Sequence, residues 1–226
     1  NNDVFGELRS LLDQPDKYAG WLSKVLALLE TAYANEPGRY QEEFLPYLEK
    51  YPELWKSHKK RVGSLLDPDI GRCLEYAPFL RLSIEFYGFD DLGDLEYSDH
   101  VDRIGYLTMG DFRDEPYVNW DWFGAFPWKS LTGLDLINFG VESRGLERML
   151  SPGQFKALEW FCLSGNQISG RGIEALATSN LTSLRELELD TCGLEDADLI
   201  ELAGSKSLEG LTRLKVCSNK LGDGGG

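Results

Sequence analysis

The residues of this chain that could do covalent chemistry are few and scattered. Of its two histidines, His58 falls on an apolar helical stripe and His100 lies beside an acidic run. The four cysteines, Cys73, Cys162, Cys192 and Cys217, form no CxxC pair, so the close thiolates that a structural zinc needs are missing. Four thiols in 226 residues are too sparse for a disulfide framework, and reduced, mostly buried thiols are expected. The acidic run Asp90, Asp91, Asp94, Glu96, Asp99, Asp102 lacks the central glycine and terminal glutamate of a calcium loop and reads as a solvated loop. No Gly-x-Ser-x-Gly, HExxH or GxxxxGK[ST] motif occurs, and the run Gly224 to Gly226 has neither the lysine nor the helix of a phosphate loop. The expectation is no catalytic residue, no metal and no cofactor. What remains is the chemistry of recognition: aromatic side chains, and charges that alternate along short segments.

Those side chains are positioned by a repeat. Four segments align without gaps: Leu131-Thr-Gly-Leu134-Asp-Leu136, Leu158-Glu-Trp-Phe161-Cys-Leu163, Leu184-Arg-Glu-Leu187-Glu-Leu189 and Leu211-Thr-Arg-Leu214-Lys-Val216. Their first residues are 27, 26 and 27 apart. Position nine holds Phe139, Asn166, Cys192 and Asn219, and position eleven holds Val141, Ile168, Leu194 and Leu221, giving the signature LxxLxLxxN/CxL. Four residues further on come Gly145, Gly172, Asp198 and Gly225, and then Met149, Leu176 and Leu202, as a short helix docking on a strand layer requires. Stepping back by 27 gives two degenerate units in register, Ile104-Gly-Tyr-Leu107-Thr-Met109 with Phe112 at position nine, and Ala77-Pro-Phe-Leu80-Arg-Leu82. One unit cannot bury its own apolar face, so neighbours must stack. Positions four and six point inward, and an asparagine at position nine satisfies backbone groups at the turn.

Leu158 to Ala203, notably Leu-Ser-Gly-Asn-Gln-Ile (163–168) and Gly-Ile-Glu-Ala-Leu-Ala (172–177), resembles the ribonuclease-inhibitor-like subclass of leucine-rich repeats. The likeness extends over residues 77–226. The chain is also similar to bacterial proteins that place short repeats of this kind after a helical companion domain. The resemblance implies an α/β solenoid with parallel concave strands and convex helices, used to recognise proteins, and it names no partner.

The register then places the recognition side chains. Concave position three carries Phe79, Tyr106, Gly133, Trp160, Glu186 and Arg213, with Gly133 leaving a gap. Position five carries Arg81, Thr108, Asp135, Cys162, Glu188 and Lys215, and position seven Ser83, Gly110, Ile137, Ser164, Asp190 and Cys217. Aromatic anchors bordered by charge are a common interface composition. The partner-binding set expected on this face is Phe79, Arg81, Tyr106, Asp135, Trp160, Glu186, Glu188, Asp190, Arg213 and Lys215. The alternative is that these residues pair with one another and bind nothing. A second patch, Trp120, Trp122, Phe123, Phe126 and Trp128, is read as partly core, with Trp122 at the helix-core position eight residues after Asp114.

Residues 1–75 read as an α-helical N-terminal cap and 76–226 as about six repeats. Val4, Phe5, Leu8, Leu11 and Leu12 make one stripe. Tyr18, Trp21, Leu22, Val25, Leu26, Leu29 and Ala32 make a second, and Tyr40, Phe44, Leu45 and Leu48 a third, kinked at Pro46. Leu54, Trp55, His58, Val62 and Leu65 make a fourth. Asp67-Pro68-Asp69 opens a short helix whose Ile70, Cys73 and Leu74 are expected to face the repeats. The basic cluster Lys56, Lys59, Lys60, Arg61 is expected on a solvated helix face. Covering the open edge of the first repeat is one role for this segment, and a separate docking module is the other.

The net charge is −15. Residues 1–75 carry 10 Lys and Arg against 13 Asp and Glu, and residues 76–226 carry 13 against 25. The acidity of the repeats repels phosphate backbones and anionic lipid, so the expected partner is a protein with a basic contact surface, with no nucleic acid and no membrane. No apolar run reaches the roughly 18 residues of a membrane span, and the absence of a basic flank and apolar run after Asn1 leans the expectation towards the cytoplasm. The stop at Leu221-Gly-Asp-Gly-Gly-Gly226 reads as a truncated solenoid end. The function expected is a protein-binding scaffold or adaptor and not an enzyme. The alternatives are a regulator of an enzyme, through GTPase modulation or substrate recruitment, and a structural assembly protein.

Overall fold

The computed structural model describes residues 3–13, 20–51, 59–62, 68–78, 80–86, 95, 98–109, 118–151 and 153–222. The readings above on Tyr18, Leu54, Trp55, Lys56, His58, Leu65, Phe79, Asp90, Asp91, Asp94, Glu96, Gly110, Phe112 and the terminal glycines lie outside those residues. The chain divides into two compact units, Asn1–Leu82 and Ser83–Gly226.

The first unit is built on helices. α1 (Val4–Leu12) buries Phe5, Leu8 and Leu12, and α2 (Trp21–Asn35) buries Trp21, Val25, Leu29 and Ala32, as the stripes require. Gly20, at φ 84°, turns the chain into α2, and the Trp21 indole N–H donates to Leu11 O at 3.0 Å. A continuous helical run follows: α3 (Pro37–Arg39), a π-helical stretch (Tyr40–Phe44) and α4 (Leu45–Leu48). Pro46 has no N–H and its ring crowds the carbonyl four residues back, and widening the preceding turn accommodates both. Tyr40, Phe44 and Leu48 are fully buried.

One expectation fails here. Lys59–Val62 is a strand, β1, and not part of a fourth helix. Strand formation follows the pairing available more than intrinsic preference, and β1 hydrogen-bonds β2 (Arg81–Phe86). Lys60 and Arg61 therefore sit on a strand and not on a helix face. The expected short helix exists as α5 (Pro68–Tyr76), and its Cys73 and Leu74 pack into the first unit's core with Tyr76 and with Ala77 and Leu80, positions one and four of the first degenerate repeat. The Tyr40 hydroxyl donates to Tyr76 O, and Arg72 pairs with Glu30 at 2.7 Å, which fixes α5 to this unit.

The second unit has a leucine-rich-repeat-like α/β solenoid fold. Its strands β3 (Ile104–Met109), β4 (Gly133–Asp135), β5 (Trp160–Cys162), β6 (Glu186–Glu188) and β7 (Arg213–Lys215) pair in parallel in chain order. The register runs Tyr106, Gly133, Trp160, Glu186, Arg213, which is the step of 26 or 27 residues found in the sequence. Between them lie α6 (Trp120–Ala125), α7 (Ser143–Leu150), α8 (Arg171–Thr178) and α9 (Asp196–Ala203). Positions one, four and six are buried from Ile104 to Leu189, as are Met149, Leu176 and Leu202 on the helices. In the last repeat Leu214 is 41% exposed. Among the described residues no helix is long and apolar enough to cross a membrane.

Position nine joins neighbouring units. The Asn166 side chain accepts from Val141 N at 2.8 Å and donates to Leu136 O and Leu163 O at 2.8 and 2.7 Å. Asn219 repeats this, accepting from Cys192 N and Leu194 N and donating to Leu189 O and Val216 O. At Cys192 a thiol replaces the amide and donates to Leu163 O at 3.2 Å. Phe139 makes an apolar substitute, 5.7 Å between its ring centroid and that of Trp120. Here Trp120 and Phe123 occupy the helix core, and Trp122, expected there, is half-buried against Phe126. The helix begins at Trp120, capped by Asn119, so the inward stripe falls two residues earlier than the repeat spacing implies. Gly145 is required at its place, because a Cβ there would lie 2.6 Å from the Trp120 indole nitrogen.

Position eight carries a constraint that the sequence pattern did not disclose. Asn138, Gly165, Thr191 and Ser218 all have positive φ, at 51, 77, 57 and 56°. Thr191 is β-branched and exposed, so its left-handed backbone is strained without a packing reason. Thr191→Gly should raise stability by about 0.5–1 kcal/mol in chemical denaturation, the relieved strain exceeding glycine's entropic cost. A fall in stability would show that the threonine is not strained.

Candidate functional site

The sheet face opposite the buried positions is where the repeat register places side chains for recognition. Its centre is an aromatic pair. Tyr106 and Trp160 lie two strands apart, roughly 10 Å by strand spacing, yet their rings stack with centroids 5.4 Å apart and planes at 19°. They lean together over Gly133. A Cβ at Gly133 would come 2.3 Å from the Tyr106 ring, so the gap expected there is filled by the neighbour's ring, and only glycine permits it. Burial, and after it the charges of Asp135, Cys162, Glu188 and Glu85, push the Tyr106 phenol above its ordinary value.

One side of the pair leads into a charged network. The Trp160 indole N–H donates to Glu188 Oε1 at 3.3 Å, and Lys215 Nζ donates to the same oxygen at 2.7 Å. That bond raises the Lys215 pKa. Arg213 pairs with Glu186 at 3.0 Å. Asp190 accepts from Cys217 N at 2.6 Å. The charges expected to meet a ligand thus also pair across the sheet, where solvent screens them.

Asp135 is different. It stands in the row Thr108, Asp135, Cys162, Glu188, Lys215, two residues along β4 from Gly133. Its carboxylate accepts from Ile137 N at 3.1 Å and forms no ion pair among the described residues. Half-burial pushes its carboxyl above the ordinary value, the Ile137 N–H and the Cys162 thiol oppose the shift, and Glu188 adds to it.

The face is less open than the alternation implies. Cys162 and Ser164 are buried, the larger Asp135, Trp160 and Glu188 standing around them, and burial raises the Cys162 thiol to about 11. That thiol is protonated at neutral pH and is a poor nucleophile. Ile137 is 44% exposed. Arg81, half-buried in β2, belongs to the first unit, and Phe79 lies outside the described residues. Tyr106, Asp135, Trp160, Glu186, Glu188, Asp190, Arg213 and Lys215 are therefore brought to one face. Gly133, which sets the ring geometry, was visible in the sequence only as an absence.

On the helix side a cleft of about 720 Å3 is lined by Asp121, Arg144, Glu147, Arg148, Ser151 and Arg171. Its charges nearly balance, and Arg148 already holds Asp121, whose carboxyl it draws below the ordinary value. This is a solvated helix face. Among the described residues no cluster of side chains could hold a metal ion.

No protein-family model matches this chain, and no curated protein matches it. Solved structures similar to it include an internalin from Listeria monocytogenes, at 14% identity and a TM-score of 0.37, covering 98% of this chain. The chain spans 57% of that internalin's length.

Proposed function

We propose that this chain is a protein-recognition scaffold or adaptor and not an enzyme, and that it engages a protein through the sheet face carrying Tyr106 and Trp160. The observation that carries the reading is the aromatic pair itself. Two large rings stacked on the open side of a rigid sheet, bordered by Glu186, Glu188 and Asp190, form an anchor with a polar rim. The excess of acidic residues in 76–226 favours a basic contact surface on the partner. We assign the repeats to the ribonuclease-inhibitor-like subclass. A period of 26–27 residues and the eight-residue helices α7, α8 and α9 support that assignment.

Trp160→Ala should weaken binding of a partner captured from the native source by roughly 1–3 kcal/mol, with thermal stability nearly unchanged. Association should also slow as salt screens charges beyond about 8 Å. Unchanged affinity in a folded variant, together with a salt-independent rate, would remove this face from the interface.

The N-terminal segment is proposed to cap the solenoid. No Gly/Ser-rich or Pro-rich spacer separates the helices from the first repeat. The fragment 67–226 is then expected to aggregate or to lose cooperative unfolding. A soluble, monomeric fragment as stable as the whole chain would make the helices a free module.

A further inference from the structure

We propose that Asp135, beside the Tyr106–Trp160 pair, receives the ammonium or guanidinium group of a lysine or arginine side chain on the protein partner. The inference rests on the proposed recognition face and specifies what that face reads.

Two carboxylates on the face already have cations. Glu186 has Arg213, and Glu188 has Lys215 together with the Trp160 indole N–H. Asp135 has a backbone N–H and a thiol, and no cation appears among the groups that shift it. A carboxylate held half out of water without a counterion costs stability, and Ile137 N and the weakly donating Cys162 thiol compensate only part of that cost. A cation brought by a partner would remove that cost, so the binding energy appears only on association.

The surroundings favour a cation over a neutral donor. Gly133 contributes no side chain between Asp135 and the rings above it, and Asp135 lies roughly 7 Å along the strand from that point. Both the aromatic faces and the carboxylate attract positive charge. Glu188 lies two strands over in the same row and reinforces the negative potential, and Glu85 adds to it at Tyr106. The second unit holds no lysine or arginine on the Asp135 row until Lys215, which is engaged by Glu188. Asn at this position would keep the acceptor for Ile137 N but lose the charge. A stabilising residue would lower the unfolding midpoint when so replaced. A residue placed for binding would not, because the replacement removes a desolvated charge. The sign follows from the raised pKa: charging the group disfavours the folded state above its folded pKa, so the neutral variant gains at pH 7 and the gain fades near the ordinary carboxylate pKa.

The test uses the whole chain and three capped tripeptides, Gly-Lys-Gly, Gly-Arg-Gly and Gly-norleucine-Gly. The readout is the indole N–H signal of Trp160 in a nitrogen-15 spectrum, identified by its loss in Trp160→Phe. Asp135→Asn is compared with Glu201→Gln, which removes the same charge from an exposed position on α9. The expected result is saturable movement with one or both cationic peptides and none with norleucine. Asp135→Asn should weaken that binding at least ten-fold, Glu201→Gln less than two-fold, and the Asp135→Asn midpoint at pH 7 should equal or exceed the parent's. The preferred peptide distinguishes an ammonium from a guanidinium. Absence of saturation, an equal response to norleucine, equal losses in both variants or a lowered midpoint in Asp135→Asn would each overturn the assignment. If Trp160→Ala abolishes capture of the native partner while Asp135→Asn binds peptides like the parent, the recognition face stands and this inference alone falls.

Discussion

The second unit depends on the side chains at position nine, where the amides of Asn166 and Asn219 each join a repeat to the one before it. Asn166 is 1% exposed, and its side chain meets both a donor and two acceptors of the backbone around the turn. Parallel strands of three residues contribute little pairing of their own, and the turn after each strand would otherwise bury unmatched N–H and C=O groups at a cost of about 1–3 kcal/mol each. The amide removes that cost and fixes the strand-to-strand step. Once the step is fixed, positions three, five and seven fall in straight rows, and the recognition face is a consequence. Tyr106 and Trp160 can lean together only because Gly133 is held between them in register.

The other occupants of position nine show what the amide supplies by their substitutes for it. Cys192 gives one weak donor, to Leu163 O, and draws its own backbone acceptor from Asn219 of the next repeat. Phe139 gives none, and the unit around it is instead filled by Trp120, Phe123, Trp128 and Phe155. Aromatic packing replaces polar matching there. The left-handed residues at position eight belong to the same turn. The left-handed residue immediately precedes position nine, and at Thr191 that conformation is strained.

Much of this was legible because burial leaves a periodic mark. The apolar pattern placed the strands from Ile104 to Val216, and the observed pairing follows it residue for residue. The helical stripes of residues 4–12 and 21–35 were equally plain. What escaped lacks such a mark. Nothing in Lys59–Val62 favours a strand until β2 offers its edge. Trp120 and Trp122 have the same composition and differ only in where Asn119 starts the helix. The pairing of Glu188 with both Trp160 and Lys215 joins residues 27 or 28 apart, and side-chain rotamers decide it. A positive φ leaves a signature only when glycine or asparagine occupies it, so Thr191 and Ser218 concealed a turn that Asn138 and Gly165 mark in only two of the four repeats.

The account stands or falls on the inter-repeat amide, and amide hydrogen exchange in Asn166→Ala tests it most directly. Val141 N donates to Asn166 Oδ1 and to no other acceptor among the described residues. The account predicts that Val141 exchange accelerates far more than that of the Leu187 amide in the adjoining strand. It also predicts a global loss of stability of about 2–4 kcal/mol, from leaving two or more buried groups unmatched. Exchange at Val141 unchanged, with stability within about 0.5 kcal/mol of the parent as for a surface substitution, would contradict it.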